Sequence, residues 1–163
     1  MSIIVKNLGH VYHPGTPLET RSLCDISFEL ERGTWLSVAG HTGSGKSTLG
    51  QHLNGIIAPM EGTVTVDGMA VKEKGPDLRE IRARVGLVFQ YPEQQLFAET
   101  VYEEIAFAPR NWGTPEEEID ARVKEAARAA GLDESRLTRS PFQLSGGEKR
   151  KVAIASVLSS KQI

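Results

Sequence analysis

Residues 40–47, read as Gly40, His41, Thr42, Gly43, Ser44, Gly45, Lys46 and Ser47, restrict the folds open to this chain more than any other stretch. They follow a short apolar run, Trp35 to Ala39, and precede a helical pattern from Ser47 to Asn54 that Gly55 ends. A strand that empties into a glycine-rich turn and then a helix belongs to an α/β fold. The spacing is that of a phosphate-binding loop. Small residues let successive backbone N–H groups turn inward around phosphate oxygens, and the helix amino terminus adds its partial positive charge. Lys46 can then reach the β and γ phosphates, and the Ser47 hydroxyl can ligate Mg2+. A turn that merely turned would have no use for the Lys-Ser pair. His41 occupies a variable position of the loop and serves spacing. Gly40 to Ser47, with Thr48 beyond them, are the candidate nucleotide contacts, and the loop alone does not separate kinases, GTPases and motor ATPases.

Around the loop the pattern is mixed. Ile3 to Val5 and Cys24 to Leu30 alternate as strands do, with Ile26, Phe28 and Leu30 on one face. Gly62 to Asp67 and Met69 to Val71 flank the dipeptide Asp67-Gly68, which predicts an antiparallel hairpin. Leu78 to Arg84 reads as a helix, and Val85 to Phe89 as a strand apolar on both faces that ends at Gln90. From Tyr91 onward capped helices take over. Thr100 with Glu103 forms a capping box opening a helix that Pro109 is expected to close, and Thr114, Pro115 and Glu117 predict a second helix ending at Gly131. Ser145 and Glu148 form a third box, opening a helix toward Leu158. The best linkers are Tyr91 to Glu99 and Thr138 to Gln143.

Charge removes some function classes. Nineteen Lys and Arg against 21 Asp and Glu give a net charge of -2, so no basic field exists to hold nucleic acid or an anionic membrane. A single cysteine, Cys24, makes no internal disulfide and fits a reducing cytosolic location. No run approaches the roughly 18 apolar residues of a membrane span.

The second glycine cluster narrows the class. Leu144, Ser145, Gly146, Gly147 and Glu148 make a capped helix start whose first turn is stripped of side chains, leaving N–H groups free for a phosphate held by something else. With the loop at Gly40 upstream, this resembles the signature sequence of ABC-type ATPases, and the resemblance covers the whole chain. It implies a phosphate-loop α/β fold of the ABC type, with an antiparallel β subdomain and an α-helical subdomain. The expected division is 1–90 as the first part of the ATP-binding core, 91–143 as the helical subdomain and 144–163 as the signature helix. The resemblance also implies a second ATP-binding subunit, whose nucleotide Ser145, Gly146 and Gly147 would close over. Tyr12 matches the aromatic on which the family stacks adenine; a half-buried packing role is its alternative. Gln90 matches the glutamine that reaches Mg2+ and the attacking water. Lys46 and Gln90 are thus the candidate catalytic residues, and Ser47 and Gln90 the candidate metal contacts.

Gln90 to Phe97, followed by Thr100 to Phe107, is similar to the energy-coupling-factor importers of vitamins and of cobalt or nickel ions. That likeness implies a transmembrane coupling subunit gripped through Tyr91 to Phe97, with Leu96 and Phe97 either facing it or serving as core, and a peripheral position on the cytoplasmic face of the membrane. The resemblance also implies an apolar strand ending in Asp-Glu after the signature helix, and no such strand occurs in the chain, since Asp133-Glu134 follows a helix and a glycine. The chain therefore reads as the amino-terminal two-thirds of such an ATPase. Its core sheet is expected to be incomplete, and the chain alone is expected not to hydrolyse ATP. A soluble ABC-type clamp and a non-hydrolysing nucleotide-binding fragment are the alternative readings.

Overall fold

The computed structural model describes residues 2–160, which divide into two compact units, one running to Val85 and the other starting at Gly86. In the first, β1 (Ile3–Tyr12), β2 (Thr20–Leu30), β3 (Glu61–Val66) and β4 (Met69–Ala70) form an antiparallel sheet in the order β2-β1-β3-β4. Alternation sends Ile3, Val5, Val64 and Val66 into one core, joined by Leu8 and Leu23. Two short helices, α1 (Lys46–Leu53) and α2 (Asp77–Arg84), contribute Leu49 and Ile81 to it. The hairpin predicted at Asp67-Gly68 forms, with both residues in the left-handed region at φ 48° and 79°. Between Val5 and Leu8 the pairing with β2 slips. Asn7 adopts φ 49° there, and its amide donates to Asp25 at 2.7 Å. Opposite this irregularity Gly62 has φ 74°, and a Cβ on it would lie 2.2 Å from the Lys6 carbonyl oxygen, so only glycine fits.

Two predicted strands do not form. Neither Trp35 to Ala39 nor Val85 to Phe89 joins a ladder, and Trp35 is 99% exposed. A strand exists through its hydrogen bonds to a neighbour, and among the described residues the only ladders are those of the four antiparallel strands. The apolar pattern is present without a partner to use it. This is the form the expected incompleteness of the core sheet takes.

The second unit is helical. Helices α3 (Val101–Asn111), α4 (Glu116–Ala129) and α5 (Gly146–Leu158) pack on a core of Val101, Ile105, Ile119, Val123 and Val152, with single 3-10 turns at Pro92–Gln95, Glu134–Arg136 and Pro141–Gln143. Pro109 does not end α3; the helix continues to Asn111. A proline there has no N–H for the Ile105 carbonyl, and the buried Ser159 hydroxyl donates to that oxygen instead, at 2.7 Å. The second predicted box does not form either. Pro115 itself is the residue preceding α4, without a side-chain cap, which places Thr114 one position too early. At the other end Gly131 behaves as predicted. With φ 66° it donates to Arg128, and Leu132 donates to Ala127 at 2.8 Å, closing a Schellman motif over the core.

Candidate nucleotide-binding site

The loop at Gly40 is built on glycine geometry. Gly43 and Gly45 take φ 83° and 87°, and Gly45 stands immediately before α1. A Cβ on Gly45 would lie 2.3 Å from the Ser22 carbonyl oxygen and 2.9 Å from Leu23 Cδ2, whereas one on Gly43 would meet nothing within 4 Å. Gly45 is thus demanded by packing against β2. At Gly43 the space is open. Lys46, the first residue of α1, folds back over the loop, its Nζ donating to the Gly40 and His41 carbonyls at 2.7 Å each and to Ser44 Oγ at 3.3 Å. His41, placed by sequence as a spacer, turns its Nδ1 onto the Thr42 carbonyl at 2.7 Å. Ser47 is exposed, and its hydroxyl makes no hydrogen bond among the described residues.

At the end of β1 and on α1 lies a cluster in which sequence reasoning named Tyr12 and Thr48 and missed His10 and His52. Tyr12, at the end of β1, is half-buried and shares a hydrogen bond of 3.3 Å with the Thr48 hydroxyl. Its ring meets His10 edge-on at 4.6 Å, and His10 meets His52 at 4.9 Å. His52 bonds through Nδ1 to the Thr48 carbonyl at 2.7 Å, and its Nε2 and the Nδ1 of His10 are buried without a hydrogen-bond partner among the described residues. Burial pushes both imidazole pKa values down, because a charged ring here would lose its water. The available signal was the four-residue spacing of Thr48 and His52 on one helix face.

The remaining candidates belong to the second unit. Gln90 is exposed just after the unpaired run. Ser145 caps α5 in a complete box: its Oγ accepts from the Glu148 N–H at 3.3 Å, while its own N–H and hydroxyl donate to Glu148 Oε2 at 3.0 and 2.8 Å. These bonds, with Arg136 at 2.9 Å, hold the Glu148 carboxyl below the ordinary range. Gly146 and Gly147 are exposed, and a Cβ on either would meet nothing within 4 Å. Of the two apolar residues read as either partner surface or core, Leu96 is buried in the helical core. Leu96, just after the turn at Pro92–Gln95, has extended backbone at φ −71° and ψ 130°, which sends its side chain and that of Phe97 to opposite sides. Phe97 is 59% exposed and stacks edge-on with Phe107 at 4.9 Å.

An α/β unit with a phosphate-binding loop, followed by a helical unit carrying a capped, side-chain-free helix start, defines a nucleotide-binding cassette. The family profile described as ABC transporter matches residues 23–162, and the chain belongs to that family. It is 52% identical over 160 residues to the energy-coupling factor transporter ATP-binding protein EcfA2 of Clostridium perfringens, covering 98% of this chain and 56% of that protein. EcfA2 of Clostridioides difficile gives the same identity and coverage. The chain thus spans about half the length of the curated relatives it matches. Among solved structures, cbiO1 from Clostridium perfringens, described as part of the ABC transporter complex cbiONQ, superposes with a TM-score of 0.83 at 34% identity, over 98% of this chain and 61% of that one. An ATP-binding cassette in a dimeric post-hydrolysis state, bound to ADP and Pi, superposes at 0.84 with 30% identity, over 97% of this chain and 69% of that one.

Proposed function

We propose that the chain carries the nucleotide-binding and signature portions of the ATP-binding subunit of an energy-coupling-factor importer. That subunit binds ATP with Mg2+, pairs with a second ATP-binding subunit, and transmits ATP binding and hydrolysis to a transmembrane partner from the cytoplasmic face of the membrane. The observation that carries this reading is the Lys46 ammonium, gathered at the loop by the Gly40 and His41 carbonyls at the start of α1. Phosphate oxygens bear full negative charge and outcompete two neutral carbonyls for it. Lys46 would then neutralise charge on the transferring γ-phosphoryl group, and Gln90 would orient the attacking water.

The residues fit Mg2+. Ser47 offers an exposed hard oxygen donor, and among the described residues no group of three His, Cys, Asp or Glu could hold a metal ion. Such a site suits an ion ligated mainly by substrate phosphates and water. When bound, Mg2+ supplies charge neutralisation at the β and γ oxygens. Tyr12, fixed by Thr48 and His10, is the proposed adenine platform. The open space over Gly146 and Gly147 supports their approach by the phosphates of a second subunit's nucleotide, because packing within this chain does not require glycine at either position.

Docking to the transmembrane partner is assigned to the segment Tyr91 to Phe97, with Tyr91, Phe97 and Phe107 as its exposed aromatic edge. No helix among the described residues is long and apolar enough to cross a membrane. The test of the nucleotide site is Lys46→Ala, which removes charge-assisted hydrogen bonds of about 1.5–3 kcal/mol. Calorimetry should record MgATP binding weakened on the order of tenfold or more; unchanged affinity refutes the reading. Tyr91→Ser with Phe97→Ser should reduce co-purification of the membrane partner while sparing nucleotide binding.

A further inference from the structure

We propose that Glu104 is the positioning residue of the docking surface, its carboxylate fixing the backbone of Phe97 and Ala98 so that the aromatic edge is already formed before a partner arrives. Glu104 lies one turn into α3 and is only 5% exposed, among the apolar residues of the helical core. A carboxylate is costly to bury unless its oxygens are paired. Here one oxygen, Oε2, accepts the Phe97 N–H at 2.9 Å and the Ala98 N–H at 2.8 Å. The helix core needs no acid at this position; the bonds lead outward to the loop. There they bear on Phe97, which is 59% exposed and whose ring stacks edge-on against Phe107, a side chain of the same helix as Glu104. Glu104 and Phe107 are three residues apart on α3, so one helix holds the loop by its backbone and its aromatic ring together.

Ordering a loop at the moment of binding costs conformational entropy, and a preformed loop avoids that cost. Glu104 therefore acts on partner affinity through Phe97 without touching the partner. Since Oε2 alone makes both bonds, the side-chain oxygen of glutamine can replace it. Methionine at the same position keeps the volume and removes the acceptor. Phe97 is exposed and Ala98 half-buried, so water can take up the freed N–H groups and the fold survives.

This inference rests on the docking reading, and the experiment separates the two. The full-length protein is reconstituted with its membrane partner, and ATPase stimulation is titrated against partner concentration. Amide exchange is followed at Phe97 and Ala98. Glu104→Met should speed that exchange at least tenfold and raise the partner concentration for half-maximal stimulation at least fivefold, with maximal stimulated rate and MgATP affinity within twofold. A role confined to stability would instead lower the maximal rate with the folded fraction. Glu104→Gln should return both readouts to within about threefold of the parent. If Glu104→Met speeds exchange but leaves half-maximal stimulation unchanged while Phe97→Ser raises it, the positioning role is wrong and the docking surface stands. If Phe97→Ser itself has no effect, the docking surface is wrong. Should Glu104→Met fail to fold, the parent protein decides: Phe97 and Ala98 amides exchanging as fast as unprotected loop amides overturn the proposal, and slow exchange supports it.

Discussion

Alanine placed at Gly45 and at Gly43 should give very different results, although both glycines have positive φ in the same loop. The backbone component is shared. A non-glycine residue in the left-handed region costs about 1–2 kcal/mol, at φ 83° or at 87° alike. The contact component is not shared. At Gly43 the new methyl group meets nothing within 4 Å, while at Gly45 it would lie 2.3 Å from a backbone carbonyl oxygen of β2, which no side-chain rotation can relieve. Forcing α1 away from β2 resembles overpacking, at about 1–3 kcal/mol more. The expected totals are about 1–2 kcal/mol for Gly43→Ala and about 2–5 kcal/mol for Gly45→Ala. The Leu49 amide, which donates to the Gly45 carbonyl at 2.8 Å, reports local opening by hydrogen exchange. Gly45→Ala should accelerate that exchange by at least tenfold more than Gly43→Ala does, and MgATP affinity should fall further too. Equal acceleration in the two variants would falsify the claim that packing against Ser22, rather than loop conformation alone, selects glycine at 45.

Ser159→Ala leaves the Ile105 carbonyl without the donor that Pro109 denies it, and should destabilise the helical unit by about 1–3 kcal/mol in urea unfolding; Pro109→Ala in the same background should recover part of the loss. Ser145→Ala removes a helix cap and should cost about 1 kcal/mol. Glu148 has its pKa depressed in the fold, so its contribution is complete above the ordinary carboxylate value of 4.5 and is lost as pH falls through the lower folded value. Glu148→Gln should flatten that acid limb of stability. His10 and His52 are also depressed, by burial, so their neutral forms favour the fold above the ordinary value of 6.5, and stability drains as pH falls below it. Between pH 7.5 and 5.5 the urea midpoint should drop in the parent and drop less in His52→Asn; identical slopes refute the role of the pair. Trp35→Ser with Val38→Ser should lower self-association of this chain in light scattering, since both side chains are exposed.

What the sequence determined by itself is local. Loop glycines, helix caps and the Asp-Gly hairpin are decided by a few adjacent residues through φ, ψ and short-range hydrogen bonds, which is why residues 40–47, the Ser145 box, Gly131 and Asp67-Gly68 were all legible. Even there two readings miss: the box predicted at Thr114 lies one residue too early, and Pro109, predicted to close α3, lies inside it. Pro109 stays inside a helix because Ser159, fifty residues on, supplies a donor to Ile105. Trp35 to Ala39 and Val85 to Phe89 carry strand patterns, yet a pattern states only what a residue prefers to contact, and a ladder needs a second chain segment at hydrogen-bonding distance. Tertiary structure alone decided that Leu96 is core and Phe97 surface, that Glu104 serves the loop before it, and that His10 and His52 meet behind α1. The burial of Leu96 and the meeting of His10 with His52 depend on residues distant in the chain sharing one dehydrated space, and the Glu104 carboxylate on its pairing with two loop N–H groups, so burial and pairing, rather than local preference, set the free energy.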